Sequence, residues 1–122
     1  MKRELAEPEW EQFLTSFTMQ HDRWLVTVEL LRGQQREIET RDEPLEGLTI
    51  RTDGGNRREI VVTTGGAAGR HNHFVIDDPR HVRVASENGV DQALEIEESG
   101  GDVTRIAFRS AIAPELVDGI AP

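Results

Sequence analysis

The residues best suited to chemistry are histidines, and three of the four lie close together behind a glycine-rich run. His71 and His73 are two residues apart, so on a β-strand both side chains point to the same face. Two imidazoles on one face can share a transition metal. This spacing makes His71 and His73 the candidate metal ligands of the chain. No motif elsewhere implies a cofactor.

A second hypothesis concerns anions, because basic side chains are concentrated in the same stretch of an acidic protein. The candidate anion-binding residues are Arg70, Arg80, His81 and Arg83. Backbone N–H groups of a glycine-rich run such as residues 65–69 can bind an anion. Phosphate loops, however, precede a helix, whereas the residues that follow this run alternate like a strand. Anion binding is therefore kept as an alternative to metal binding.

A third interpretation treats the stretch as the ordinary surface of a β-hairpin. The apolar side chains of its two strands align when Ile76 pairs with Val82. In that register His71 lies opposite Glu87, and His81 also faces an aspartate. Acid–imidazole pairs of this kind steady a sheet surface and need no ligand. Of the three interpretations, the sequence favours this structural one.

The composition narrows the classes of function. The chain has 122 residues, a formal net charge of −9 and no cysteine. The negative charge disfavours binding to nucleic acid or to an anionic membrane surface. The absence of cysteine, of an apolar leader and of a membrane-length apolar run predicts a cytoplasmic location. The length predicts a single domain over residues 1–122.

The rest of the chain predicts the elements that must position these residues. Residues 8–21 carry one helical stripe, which includes Trp10 and Phe17. Apolar residues then alternate with a period of two between about 23 and 109, and short turns join antiparallel neighbours. Within this region residues 34–41 are mostly polar, which predicts an edge strand protected by charge.

One later hairpin has a register that can be tested. Pairing Ile96 with Ile106 aligns apolar side chains and places Glu97 opposite Arg105. A tail over residues 110–122 follows the last strand. Together the elements predict an α+β fold, with an N-terminal amphipathic helix packed on a strongly bent antiparallel sheet of seven or eight strands. By analogy with Sm-like and SH3-like domains, the sheet forms a small, partly open barrel.

Three stretches carry a family resemblance: "EWEQFLTSF…HDRWLVTVEL", "PLEGLTI" and "ALEIEESGGDVTRIAFRS…PELVDG". They resemble a family of short acidic bacterial proteins that is catalogued as a domain of unknown function. The likeness extends from Trp10 to about Gly119. It implies a small free-standing bacterial protein, and it implies no activity, cofactor or catalytic residue.

These observations favour a non-catalytic binding or adaptor domain over an enzyme. The expected contact with a protein partner, or with a second copy of the chain, is a sheet edge such as the polar strand at 34–41. The alternative is a metal- or small-anion-binding β-domain that uses the region of His71 and His73.

Overall fold

The computed structural model of the protein describes residues 1–52, 55, 57–65 and 69–108. Within these residues the chain forms one α-helix and eight β-strands. In chain order the elements are β1 (Lys2–Glu4), a 3₁₀ turn (Glu7–Glu9), α1 (Trp10–Gln20), β2 (Leu25–Arg32), β3 (Gln35–Thr52), β4 (Arg58–Gly65), β5 (His71–Asp77), β6 (Pro79–Glu87), β7 (Val90–Glu98) and β8 (Val103–Phe108).

The helix forms where the apolar stripe predicts it. Pro8 lies in the preceding 3₁₀ turn, where a residue without an N–H sacrifices no helical hydrogen bond. Trp10, Leu14 and Phe17 recur at helical spacing and are all at most 3% exposed. Burial of each contributes roughly 1.5–3 kcal/mol. The His21 N–H closes the last turn by donating to the Phe17 carbonyl at 3.0 Å. The predicted helix is confirmed, with its first turn as 3₁₀.

All eight described strands belong to one antiparallel sheet, in the order β1-β6-β7-β8-β2-β3-β4-β5. The sheet bends but does not close into a barrel, so β1 and β5 stand at its two ends. The predicted α+β fold with a helix on a bent antiparallel sheet is confirmed. Strand β1 was not predicted, because its residues Lys2, Arg3 and Glu4 show no apolar alternation.

Strand β3 joins the two halves of the sheet. It is 18 residues long, and its first half pairs with β2 while its second half pairs with β4. Asp42 has a φ of 54°, a left-handed conformation that aspartate adopts more readily than most residues. A register shift follows between Leu45 and Gly47. Such irregularities increase the local twist, so one continuous backbone can serve both halves.

The predicted register of the β7–β8 hairpin is wrong by two residues. Ile106 lies opposite Leu94, and Arg105 lies opposite Glu95. The predicted partners lie two residues further along β7, and therefore on the same two faces of the sheet. The connecting turn sets the observed register, because Gly101 adopts a φ of 95° that suits glycine.

The helix and the inward faces of the strands share one apolar core. Its buried members are Leu5, Trp10, Leu14, Phe17, Val26, Val28, Leu45, Leu48, Ile60, Val62, Ile76, Val82, Val84, Leu94, Ile96 and Ile106. No helix in the described part of the chain is long and apolar enough to cross a membrane. The predicted tail at 110–122 and positions 66–68 of the glycine-rich run lie outside the described residues.

Candidate functional site

The two candidate metal ligands lie on the outward face of β5, as their spacing predicts. His71 Nδ1 is 2.6 Å from Glu46 Oε1, and His73 Nδ1 is 3.1 Å from Thr63 Oγ1. In the part of the chain that the structure describes, no three His, Asp or Glu side chains are grouped so as to hold a metal ion. Each imidazole thus has a protein partner, and metal binding stays a prediction.

Strands β5 and β6 do not pair as a hairpin, and the predicted register between them is wrong. β5 pairs with β4, whereas β6 pairs with β1 and β7. The single residue between them, Asp78, has a φ of 49°. Its N–H donates to the Arg58 carbonyl at 3.0 Å, and its own carbonyl accepts from the Ser99 N–H at 3.1 Å. These bonds direct β6 away from β5, so His71 lies beside β4 and not opposite Glu87.

The basic residues of the predicted anion site are divided between two places. Arg70 immediately precedes β5, whereas the other bases lie on β6. The seven residues of β5 lie between them in the chain and span roughly 20 Å. Each base on the β6 side contacts a carboxylate: Arg80 contacts Asp78 at 3.2 Å, and His81 contacts Glu4 at 2.6 Å. Arg83 contacts both Glu97 at 3.0 Å and Glu4 at 3.4 Å. The hydrogen bond from His81 lowers the pKa of Glu4. Anion binding by these bases requires exchange of their carboxylates, and it stays a prediction.

A polar cleft of about 630 Å³ opens where the 3₁₀ turn, β4 and the β5–β6 junction meet. The Arg58 guanidinium lies 5.3 Å from the centre of the Trp10 ring and pairs with Glu7. The Ser99 hydrogen bond, followed by that of Arg80, lowers the pKa of Asp78. The lining residues are Glu7, Trp10, Arg58, Asp78, Pro79, Arg80, His81 and Ser99. Neither sign of charge dominates, so the cleft selects no particular ion.

The fourth histidine, His21, received no role from sequence reasoning, although it lies on the apolar stripe of the helix. It is 5% exposed. Its Nδ1 lies 2.8 Å from the Phe17 carbonyl oxygen and its Nε2 lies 3.3 Å from Asp91. The ring stacks on Phe108 at 4.6 Å and meets the edge of Trp24 at 4.6 Å. His21 therefore fastens α1 to β7 and β8.

Two carboxylates of the sheet are also buried. Glu29 is 3% exposed and Glu95 is 7% exposed. Arg105 lies between them, with Nε 3.3 Å from Glu95 and an Nη nitrogen 3.8 Å from Glu29. Arg36 and Lys2 complete the pairing, at 2.5 Å from Glu29 and 3.1 Å from Glu95. Because buried charges are stable only when paired, this cluster is structural.

The remaining candidate is the edge of the sheet. Two described strands, β1 and β5, pair on one side only over their whole length, and each half of β3 also pairs on one side only. β1 has three residues, all charged. Residues 35–41 of β3 carry four charged side chains, and the predicted charged edge strand is confirmed there. β5 has seven residues and a single formal charge, Asp77.

Strand β5 lacks the devices that normally protect an edge. Natural sheets blunt their edges with short strands, charged residues, proline or bulges. β5 contains no proline or lysine, and its pairing with β4 runs over seven residues without a register shift. Its outward side chain Val75 is 52% exposed, while Ile76 on the inner face is buried in the core. Because it stands at an end of the sheet without such protection, β5 is better suited to accept another strand than β1 or residues 35–41.

Comparison with protein families identifies the family to which the chain belongs. The Family of unknown function (DUF5335) matches residues 1–116, so the chain belongs to this family. The resemblance seen in the sequence is confirmed, and the bacterial source that it implied stays a prediction. Comparison with curated proteins and with solved structures gives no match.

Proposed function

We propose that this protein is a non-catalytic binding domain that adds an extended segment of a protein partner to its sheet at the free edge of β5. The observation that carries the proposal is the long, nearly uncharged β5 at one end of the sheet, since the opposite end, β1, and the β3 edge at 35–41 are both charged. In strand addition, main-chain hydrogen bonds supply affinity and alternate side chains supply selectivity. The net charge of −9 favours a protein over a nucleic acid or an anionic membrane.

Hydrogen bonds on the inner side of the sheet fix the position of the β5 edge before a partner binds. Glu43 Oε1 accepts hydrogen bonds from Thr64 Oγ1 at 2.7 Å and from Asn72 Nδ2 at 2.8 Å. Bonds from Thr40 first, then from Thr64 and Asn72, lower the pKa of Glu43. Because β3, β4 and β5 are tied together here, binding orders little additional backbone, which favours affinity. We also infer a cytoplasmic location from the cysteine-free composition.

The test measures binding of extended peptides to the protein at low micromolar concentration. The probes are fluorescent eight-residue peptides of alternating valine and threonine, and a peptide that copies residues 70–78. We expect anisotropy to rise on binding and amide hydrogen exchange to slow in β5, but not in β1 or at 35–41.

A matched pair of variants makes this test specific. Val75→Lys adds an edge charge and should weaken peptide binding at least tenfold, or about 1.4 kcal/mol. Ile38→Lys makes the same change at a residue that is 38% exposed on the β3 edge, and it should leave binding unchanged. Protection centred on another edge, or equal loss in both variants, would show that β5 is not the binding edge.

A second candidate function is metal binding at β5, favoured by the contact between His71 and Glu46. A carboxylate that accepts from Nδ1 fixes the ring and leaves Nε2 available, as in many metal-binding histidines. Gly65 makes room for this contact, because a Cβ there would lie 2.6 Å from Glu46 Oε2. Titration with zinc and nickel tests this candidate: tight binding lost in His71→Ala/His73→Ala supports it, and weak binding unaffected by that change contradicts it.

A further inference from the structure

The sequence of β5 is complementary to itself when two copies run antiparallel. Phe74 is the midpoint of His71–Asp77, so a two-fold axis at Phe74 pairs the full length of both strands. On the outward face this register places His71 opposite Asp77 of the other copy, and His73 opposite Val75. By symmetry each pair occurs twice. No like charges oppose each other, which is the condition for a favourable antiparallel pair.

The exposure of these side chains supports the pairing. The side chains of His71 and Asp77 contact Glu46 at 2.6 Å and Arg57 at 3.7 Å within their own copy, yet they are 56% and 53% exposed. Both are therefore accessible to a neighbouring strand. Val75, at 52% exposed, would be partly covered by the imidazole of His73 across the interface. The outward face of β5 therefore offers opposite polarity at its ends and apolar surface near its centre.

The inward-facing side chains of β5 are compatible with the same register. Phe74 packs only partly against the core of its own copy, and on the axis it would meet the same ring of the other copy. Asn72 would lie opposite Ile76, with its amide already bound to Glu43 at 2.8 Å. Aromatic pairs across neighbouring strands add stability to a sheet.

We infer that the strand added at β5 is β5 of a second copy of this chain, in the antiparallel register centred on Phe74. This inference rests on the proposed function, because both need the free edge. The pairing is isologous, so the same patch on each copy meets itself and the assembly closes as a dimer. It joins the two sheets into one continuous sheet.

The first part of the experiment measures the mass of the full chain by size-exclusion chromatography with light scattering, over a wide concentration range. We expect a dimer for the natural sequence and for Ile38→Lys, and a monomer for Val75→Lys. Circular dichroism checks that each variant is folded. A dimer that persists in folded Val75→Lys, or a monomer at every concentration, overturns the inference.

The second part measures the register, using the absence of cysteine from the chain. Directly opposed residues of antiparallel strands have Cβ atoms about 4.5–5.5 Å apart, close enough to relax into a disulfide. We expect a mixture of His73→Cys and Val75→Cys to form a disulfide-linked dimer under mild oxidation, and either variant alone to form far less. Cross-linking that is as strong in the single variants overturns the register.

The outcomes also separate this inference from the proposed function. If the chain is monomeric but peptides still slow exchange in β5, the second copy is wrong and the binding edge stands. If the chain is monomeric and no peptide protects β5, both fail.

Discussion

The two ends of the sheet are built differently. At one end, β1 has three charged residues, the Met1 amino group donates to the Ser86 carbonyl at 2.7 Å, and Glu4 contacts both His81 and Arg83. At the other end, β5 is longer and nearly uncharged. The two ends therefore differ in their local placement of charge, which the net charge of the protein does not reveal, and under the proposed function this difference selects the β5 edge.

The two ends of the sheet are also stabilised by different kinds of contact. Glu4 lies at the surface, and its pKa is lowered first by the hydrogen bond from His81. Glu43, beneath the β5 end, is half-buried and bonds Thr64, whose side chain is fully buried. The β1 end thus uses surface ion pairs around Glu4, whereas the β5 end adds the inner-face hydrogen bonds of Glu43 to the outward contacts of His71 and His73.

The largest expected effect is a difference in the free energy of unfolding between substitutions on the two faces of β5. Ile76→Ala removes a side chain that is 2% exposed and should lower the free energy of unfolding by about 2–4 kcal/mol. Val75→Ala changes an outward side chain and should lower it by less than about 0.5 kcal/mol. Urea unfolding at low protein concentration measures both. Similar losses would contradict the division of β5 into a structural face and an outward face.

A smaller loss of stability is expected from a substitution at Glu43, on the inner side of the β5 end. Glu43→Ala leaves the buried Thr64 hydroxyl without its acceptor and should lower the free energy of unfolding at neutral pH by about 1–3 kcal/mol. Because the folded pKa of Glu43 lies below its ordinary value of 4.5, its contribution is present above that pH and is lost as pH falls through the folded pKa. The variant should therefore lose less stability than the natural sequence between neutral and acidic pH.

Unfolding curves measured from pH 7 to pH 3 check this prediction. Glu39→Ala, an exposed carboxylate on β3, is the matched control and should keep the acid loss of the natural sequence. If the two variants behave alike, the internal hydrogen bonds do not govern the β5 end.

The smallest effect is expected at β1. Glu4→Gln removes the charge that His81 and Arg83 contact, and exposed ion pairs contribute little to stability. The sign of its pH dependence matches that of Glu43, since the pKa of Glu4 is also lowered. The thermal midpoint should fall slightly at neutral pH and converge with that of the natural sequence in acid. A loss larger than that of Glu43→Ala would reverse the comparison of the two ends.

The sequence predicted the features that depend on local spacing. The stripe from Trp10 to Phe17 specifies α1, and the four charges at 35–41 identify an edge strand. It could not show that Asp78 turns the chain out of a hairpin, because "DDPR" also suits an ordinary turn and the outcome depends on one φ angle. Nor could it show that His71 meets Glu46, 25 residues earlier. That contact depends on the path of β3 and not on spacing.

The continuous backbone of β3 has a mechanical consequence. A pull exerted on β5 by a bound strand loads the β4–β5 and β3–β4 ladders in shear. Because β3 pairs with β4 over one half and with β2 over the other, the load reaches β2 along a single strand without crossing a loop. The irregular stretch around Asp42, where the β2–β3 register shifts, lies on that path. Tension at the free edge would therefore act on this stretch as it passes from β4 to β2.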